Sequence, residues 1–190
     1  SGKSTVLEAL AVRWGFNPEG GSINFNFATR ASHSDLHENI RLARSLMRPT
    51  DGFFLRAESF FNVATQVEEL GVSGYGNRSL HEQSHGESFL TLLMRRFGGN
   101  GLYLLDEPEA ALSPMRQLAV LRRIHDLVLD GSQFIIATHS PILLAYPNAK
   151  IYQLDANGYT ETPYEETEHY CVTKDFLNHP ARTLKELLAE

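Results

Sequence analysis

Two short apolar runs do most to limit what this chain can become. Residues 102–105 read Leu-Tyr-Leu-Leu between Gly98-Gly99 and Asp106-Glu107, and residues 133–137 read Gln-Phe-Ile-Ile-Ala. A strand apolar on both faces must be covered on both, which marks an inner strand of a parallel sheet. Between the runs the pattern predicts a helix over 114–129, with Pro114 at its start and Gly131 as its stop. Strand, helix, strand with short connections implies a right-handed crossover. The expected fold class is therefore α/β, a three-layer core around a mostly parallel sheet in which the two runs are neighbours.

Weaker signals fill in the rest. Residues 5–14 carry Val6, Leu7, Leu10 and Ala11 at helical spacing, with Gly15 as a stop. Residues 17–21 read as a loop and 22–29 as an alternating strand. A helix is expected over 35–47, ended by Pro49. Asp51-Gly52 reads as a turn into a strand over 53–58, followed by a helix over 60–70 and a glycine-containing loop over 71–78. Residues 84–97 look helical, with Ser84 and Glu87 spaced as a capping box. A third buried strand is expected over 150–154, turned by Asn157-Gly158 into a hairpin with 159–162. Together these describe one domain over 1–190, with a helical region at about 30–98 inside it.

Composition excludes several classes. With 190 residues, 42% hydrophobic, the chain can bury a sizeable core. A net charge of -6 argues against nucleic-acid binding over the whole surface. Arg41, Arg44 and Arg48 are read as a solvated helix face. The single cysteine, Cys171, allows no internal disulfide and fits a reducing, cytoplasmic setting. No apolar run is long enough to span a bilayer. The eight histidines show no metal-ligand spacing.

The chemistry lies in four segments. Residues 1–5, Ser-Gly-Lys-Ser-Thr, are the back half of a G-x-x-x-x-G-K-[S/T] phosphate loop. The front half is absent, so the sequence is expected to begin inside the loop and the chain as given to bind ATP poorly. In such a loop Gly2 lets the backbone approach phosphate, Lys3 reaches the terminal phosphates and Ser4 gives its hydroxyl to Mg²⁺. The following helix points its positive end at the same anion. Leu-Tyr-Leu-Leu-Asp-Glu-Pro-Glu at 102–109 delivers two carboxylates to the end of a buried strand. Ligands bind at the carboxyl ends of such strands. Asp106 is suited to the Mg²⁺ shell, and Glu107 to orienting and deprotonating a water. Phe-Ile-Ile-Ala-Thr-His-Ser-Pro at 134–141 ends the next strand in His139, a candidate for the terminal phosphate and the water. Gln-Ser-His-Gly-Glu at 83–87 puts Ser84 and Gly86 at a helix N-terminus, a second anion site.

In this order, with Ala-Ala-Leu-Ser-Pro at 110–114, the segments resemble the ATP-binding-cassette (ABC) ATPase superfamily over almost the whole chain. The resemblance implies a P-loop sandwich that binds ATP and Mg²⁺. It makes Ser1, Gly2, Lys3, Ser4 and Thr5 the Walker A residues and Asp106 and Glu107 the Walker B pair. It makes 110–114 the D-loop, and His139 the switch histidine. Ser84, His85, Gly86 and Glu87 match the signature loop that contacts the γ-phosphate held by a partner subunit, so a head-to-tail, ATP-dependent homodimer is implied. The family's signature reads L-S-G-G-Q. His85 and Glu87 depart from it, which points toward soluble members such as the overcoming-lysogeny-defect, RecF-like and chromosome-maintenance-like ATPases. The Q-loop glutamine is not evident, and Arg56 or Glu58 stands nearest its place. The adenine-stacking aromatic normally precedes Walker A. Two other roles stay open: the ATP-binding subunit of a membrane transporter, and a DNA-repair or phage-defence ATPase acting with a nuclease or toxin partner; an unidentified protein or DNA partner is left open as well.

Overall fold

The computed structural model describes residues 2–22, 35–44, 46, 48–56, 85–156 and 158–189. They divide into two units, Gly2–Thr138 and the residues from His139 onward, each described by itself.

The first unit is built on a four-stranded sheet in the order β1-β2-β3-β4. Its strands are β1 (Gly21–Ser22), β2 (Asp51–Arg56), β3 (Gly101–Asp106) and β4 (Gln133–Ala137). The pairs β2–β3 and β3–β4 are parallel, and β1 joins β2 antiparallel. The two apolar runs are thus adjacent parallel strands. Its helices are α1 (Lys3–Trp14), α2 (Leu36–Asn39), α3 (His85–Arg96) and α4 (Pro114–Leu129).

Alternation along the strands explains the layering. Phe54, Leu102, Leu104 and Ala137 form one buried cluster with Leu7 and Ala11 of α1 and with Phe16. On the other face Phe53 and Tyr103 meet Phe97 at centroid distances of 5.5 and 4.2 Å, and Phe134 lies 5.1 Å from Tyr103. Leu92 and Leu93 of α3, and Val120, Ile124 and Leu127 of α4, are also buried, and α4 packs on both α3 and β4. Each fully buried Leu or Phe contributes roughly 1.5–3 kcal/mol, so this sandwich dominates the stability of the unit. Gly15 ends α1 in the left-handed conformation at φ 117°, which a glycine adopts without penalty.

Several expectations need correction. Among the described residues, the helix predicted over 35–47 forms only at Leu36–Asn39, and Ile40 is already extended. No residue of that turn is buried, so it has no apolar stripe to hold a longer helix. Arg44 instead lies over the Trp14 ring at 4.5 Å and donates to the Arg13 carbonyl. Asp51 and Gly52 are not a turn but the first residues of β2. A Cβ on Gly52 would come within 2.9 Å of Phe16 Cζ, so packing rather than turn geometry calls for glycine there. The expected elements over 60–70 and 71–78, and nearly all of the strand over 22–29, fall outside the described residues, as does Ser84.

The second unit holds α5 (Pro141–Leu144), a two-stranded antiparallel hairpin of β5 (Tyr152–Asp155) and β6 (Gly158–Glu161), a 3₁₀ turn (Tyr164–Glu166), α6 (Glu168–Asn178) and α7 (Pro180–Leu187). The hairpin is where the sequence predicts it, but it is not a buried third strand. It forms its own sheet, and neither strand holds a buried residue. Ile151 and Leu154 supplied the apolar signal, and both are only half-buried.

Candidate nucleotide and metal site

Parallel register brings the carboxyl ends of three strands level. Arg56 pairs with Asp106, and Asp106 with Ala137. Against these ends α1 begins. Gly2 is its N-cap and Lys3 and Ser4 open its first turn, which contains no acidic residue. Nothing lies within 4 Å of the position a Cβ on Gly2 would take, which leaves room for an approaching anion.

The Ser4 hydroxyl donates to Asp106 Oδ1 at 3.0 Å, although the two are 102 positions apart. Asp106 is buried, so its carboxylate needs partners. On its other side Arg56 Nε stands 4.0 Å from Asp106 Oδ2. Arg56 Nη1 pairs with Glu8 Oε2 at 2.6 Å and donates to the Pro18 carbonyl at 3.4 Å. Ser4 and Glu8 are one helical turn apart on α1, so they share a face. The result is a chain of contacts, Ser4–Asp106–Arg56–Glu8, tying α1 to β2 and β3. A hydroxyl and a carboxylate oxygen side by side are hard donors of the type Mg²⁺ takes, with its remaining positions left to nucleotide and water. The residues therefore fit the ion. Among the described residues no group of three or more His, Cys, Asp or Glu could hold a metal by itself.

Glu107 departs from ordinary backbone. It sits at φ 49°, ψ 51°, left-handed, which is uncommon for a non-glycine residue. The residue before a proline is normally pushed toward extended geometry. Here the Glu107 N–H donates to the Ala137 carbonyl at 2.8 Å, extending the β3–β4 ladder by one bond. The chain then turns sharply into the 3₁₀ turn Pro108–Ala111, whose Ala110 N–H donates back to the Glu107 carbonyl. Strained backbone of this kind clusters at functional sites.

Of the other predicted residues, Thr5 lies in α1, and Ser1 and Ser84 lie outside the described residues. His85 and Gly86 open α3. Glu87, on its first turn, accepts from Arg116 of α4 at 3.2 Å, an exposed pair worth little in stability. His139 belongs to the second unit, where its Nδ1 lies 2.6 Å from His169 Nε2. The Glu8–Arg56 pair, the left-handed Glu107 and the His169 contact were not read from sequence, because none has a local signature. A hollow of about 550 Å³ in the second unit, lined by residues such as Leu144, Ile151 and Tyr164, includes none of the motif residues.

A parallel α/β sheet with a lysine–serine helix start hydrogen-bonded to the aspartate of a strand-end Asp-Glu pair defines a P-loop ATPase domain of ABC type. Residues 22–145, more than half of the chain, match the family described as "AAA domain, putative AbiEii toxin, Type IV TA system", and the chain belongs to that family. The hemin import ATP-binding protein HmuV of Streptomyces coelicolor is 30% identical over 137 residues, covering 72% of this chain and 45% of its own length. The thiamine import ATP-binding protein ThiQ of Vibrio cholerae is 28% identical over 161 residues, covering 73% and 64%. The ABC transporter G family member STR2 of Medicago truncatula is 26% identical over 162 residues, covering 74% and 22%. The chain thus spans under two thirds of the length of these curated relatives. No solved structure matches significantly. Among the described residues no helix is long and apolar enough to cross a membrane.

Proposed function

We propose that this chain is the ATP-hydrolysing domain of an ABC-type ATPase that works as a head-to-tail dimer. The observation that carries the reading is the 3.0 Å hydrogen bond from Ser4 to Asp106, which joins the helix start to the strand end across 102 positions. Lys3 neutralises the terminal phosphates, and the N–H groups of the α1 first turn add their partial positive charge. Ser4 and Asp106 hold Mg²⁺, which when bound neutralises charge developing on the phosphates. Glu107 orients a water and takes its proton. His139, two residues past β4, donates to the terminal phosphate. The segment at Ser84–Glu87 of one chain completes the Lys3 site of the other.

A second reading, the ATP-binding subunit of an importer, draws on the names of the HmuV and ThiQ relatives. Arg56 weighs against it. It holds the strand-end position nearest the family's Q-loop and is engaged with Glu8. The family's description, with its putative toxin and type IV TA system, supports the toxin-associated alternative instead.

The test is Glu107→Gln in a protein carrying the complete phosphate loop. ATP binding should persist while hydrolysis falls about 10²–10⁴-fold, the usual effect of losing a general base. Wild-type turnover would reject the assignment.

A further inference from the structure

In the second unit His139 is paired with His169, a histidine for which the ATPase reading gives no role. His139 Nδ1 and His169 Nε2 are 2.6 Å apart, with ring centroids at 4.8 Å and planes inclined by 34°. Both rings are carried on pinned backbone. His139 immediately precedes Ser140, whose hydroxyl caps α5 by accepting from Ile142 and Leu143 N–H at 3.1 and 3.3 Å. His169 lies in the first turn of α6, behind the Thr167 cap. Tyr164 donates to the Pro141 carbonyl at 3.0 Å, and α5 packs on α6, so the two segments are fastened to each other.

At 2.6 Å the two facing nitrogens share one proton. One donates and the other accepts. The choice decides what His139 offers at its remote nitrogen. If His139 Nδ1 held the proton in a neutral ring, Nε2 would present a lone pair, which repels a phosphoryl oxygen. If His169 Nε2 donates, His139 Nδ1 accepts and the proton of the neutral ring sits on His139 Nε2, where it can donate to an anion. We propose that His169 is a positioning residue that holds His139 in its Nε2–H tautomer and fixes the plane of its ring. This rests on the reading of His139 as a phosphate donor. It adds a residue, 30 positions downstream, through which that donor is set.

The experiment is long-range ¹H–¹⁵N correlation on histidine-labelled chain, without nucleotide, at a pH where the rings are neutral. In the wild type His139 should report its proton on Nε2. His169→Ala should return His139 toward a tautomer mixture. His169→Gln, whose amide N–H can stand in for the imidazole Nε2–H, should restore the single tautomer. In ATPase assays of protein with the complete loop, His169→Ala should lower kcat about 10–100-fold with KM little changed, the scale seen for residues behind a ligand, and His169→Gln should recover most of it. A wild-type His139 protonated on Nδ1, or a tautomer indifferent to His169→Ala, overturns the proposal, as does failure of His169→Gln to restore it. If instead the tautomer responds as expected but His139→Ala turns over ATP normally, the coupling stands and the phosphate role of His139 falls.

Discussion

Tyr103→Phe isolates the value of one buried hydroxyl. Tyr103 is fully buried in the centre of β3, stacked on Phe97. Its hydroxyl lies 2.9 Å from Asp51 Oδ2, 2.9 Å from the Gly98 carbonyl and 2.7 Å from the Gly98 N–H, which donates to it. Counting three bonds overstates the loss. Asp51 Oδ2 still receives Arg96 Nη1 at 2.8 Å, and the Gly98 carbonyl still accepts from Ser132 at 3.0 Å. Only the Gly98 N–H loses its partner. One donor left unsatisfied costs roughly 1–3 kcal/mol, with ring burial and stacking unchanged. Urea denaturation followed by Trp14 fluorescence should show a lower midpoint with an unaltered slope. A shift below about 0.5 kcal/mol, or one near the roughly 3–5 kcal/mol of losing a whole aromatic side chain, would refute this reasoning. The same cluster sets an acid limb. Burial alone would raise the Asp51 pKa, but hydrogen bonds from Arg96 and Tyr103 and the Arg96 charge outweigh it and hold the carboxyl below its ordinary value. Its contribution is therefore complete above the titration of an unfolded aspartate and is lost as pH falls through the lower folded value. Asp51→Asn should flatten that limb.

Two further outcomes are expected. Arg56→Met should destabilise the fold by about 1–3 kcal/mol by leaving Glu8 and Asp106 without the guanidinium, and adding Glu8→Gln should return part of that; strictly additive losses in this double-mutant cycle would show that the pair does not couple. With the complete phosphate loop present, Lys3→Ala and Ser84→Arg chains should each be inactive and regain partial ATPase activity on mixing, because a mixed dimer keeps one intact composite site; a dead mixture in which dimers form would sink the trans arrangement.

What was legible from sequence follows from how each element is stabilised. The strands at 102–105 and 133–137 could be read because an all-apolar run has few other places to go. The helix Pro114–Leu129 carries its own proline start and buries one face. The region at 35–47 could not be read, since helix formation there depended on a buried stripe that Leu36–Asn39 lacks. Asp51-Gly52 carries turn chemistry that the packing of Phe16 overrides. At the site, Lys3, Ser4, Asp106 and Glu107 stood out because phosphate and metal chemistry demands those residue types at those spacings. Arg56 and Glu8 meet across 48 positions, and no local pattern announces such a pair.

The left-handed backbone at Glu107 separates two kinds of selection. An L-residue there bears roughly 1–2 kcal/mol of steric penalty. Glycine would escape it and lose only about 0.5–1 kcal/mol to its greater freedom when unfolded. Backbone conformation alone therefore gives glutamate no advantage at position 107, and on that count asparagine, which tolerates the same geometry, would serve as well. Asp106, next to it, has no such backbone conflict, so position 107 marks where the conformational preference of the fold and the needs of the chemistry part company.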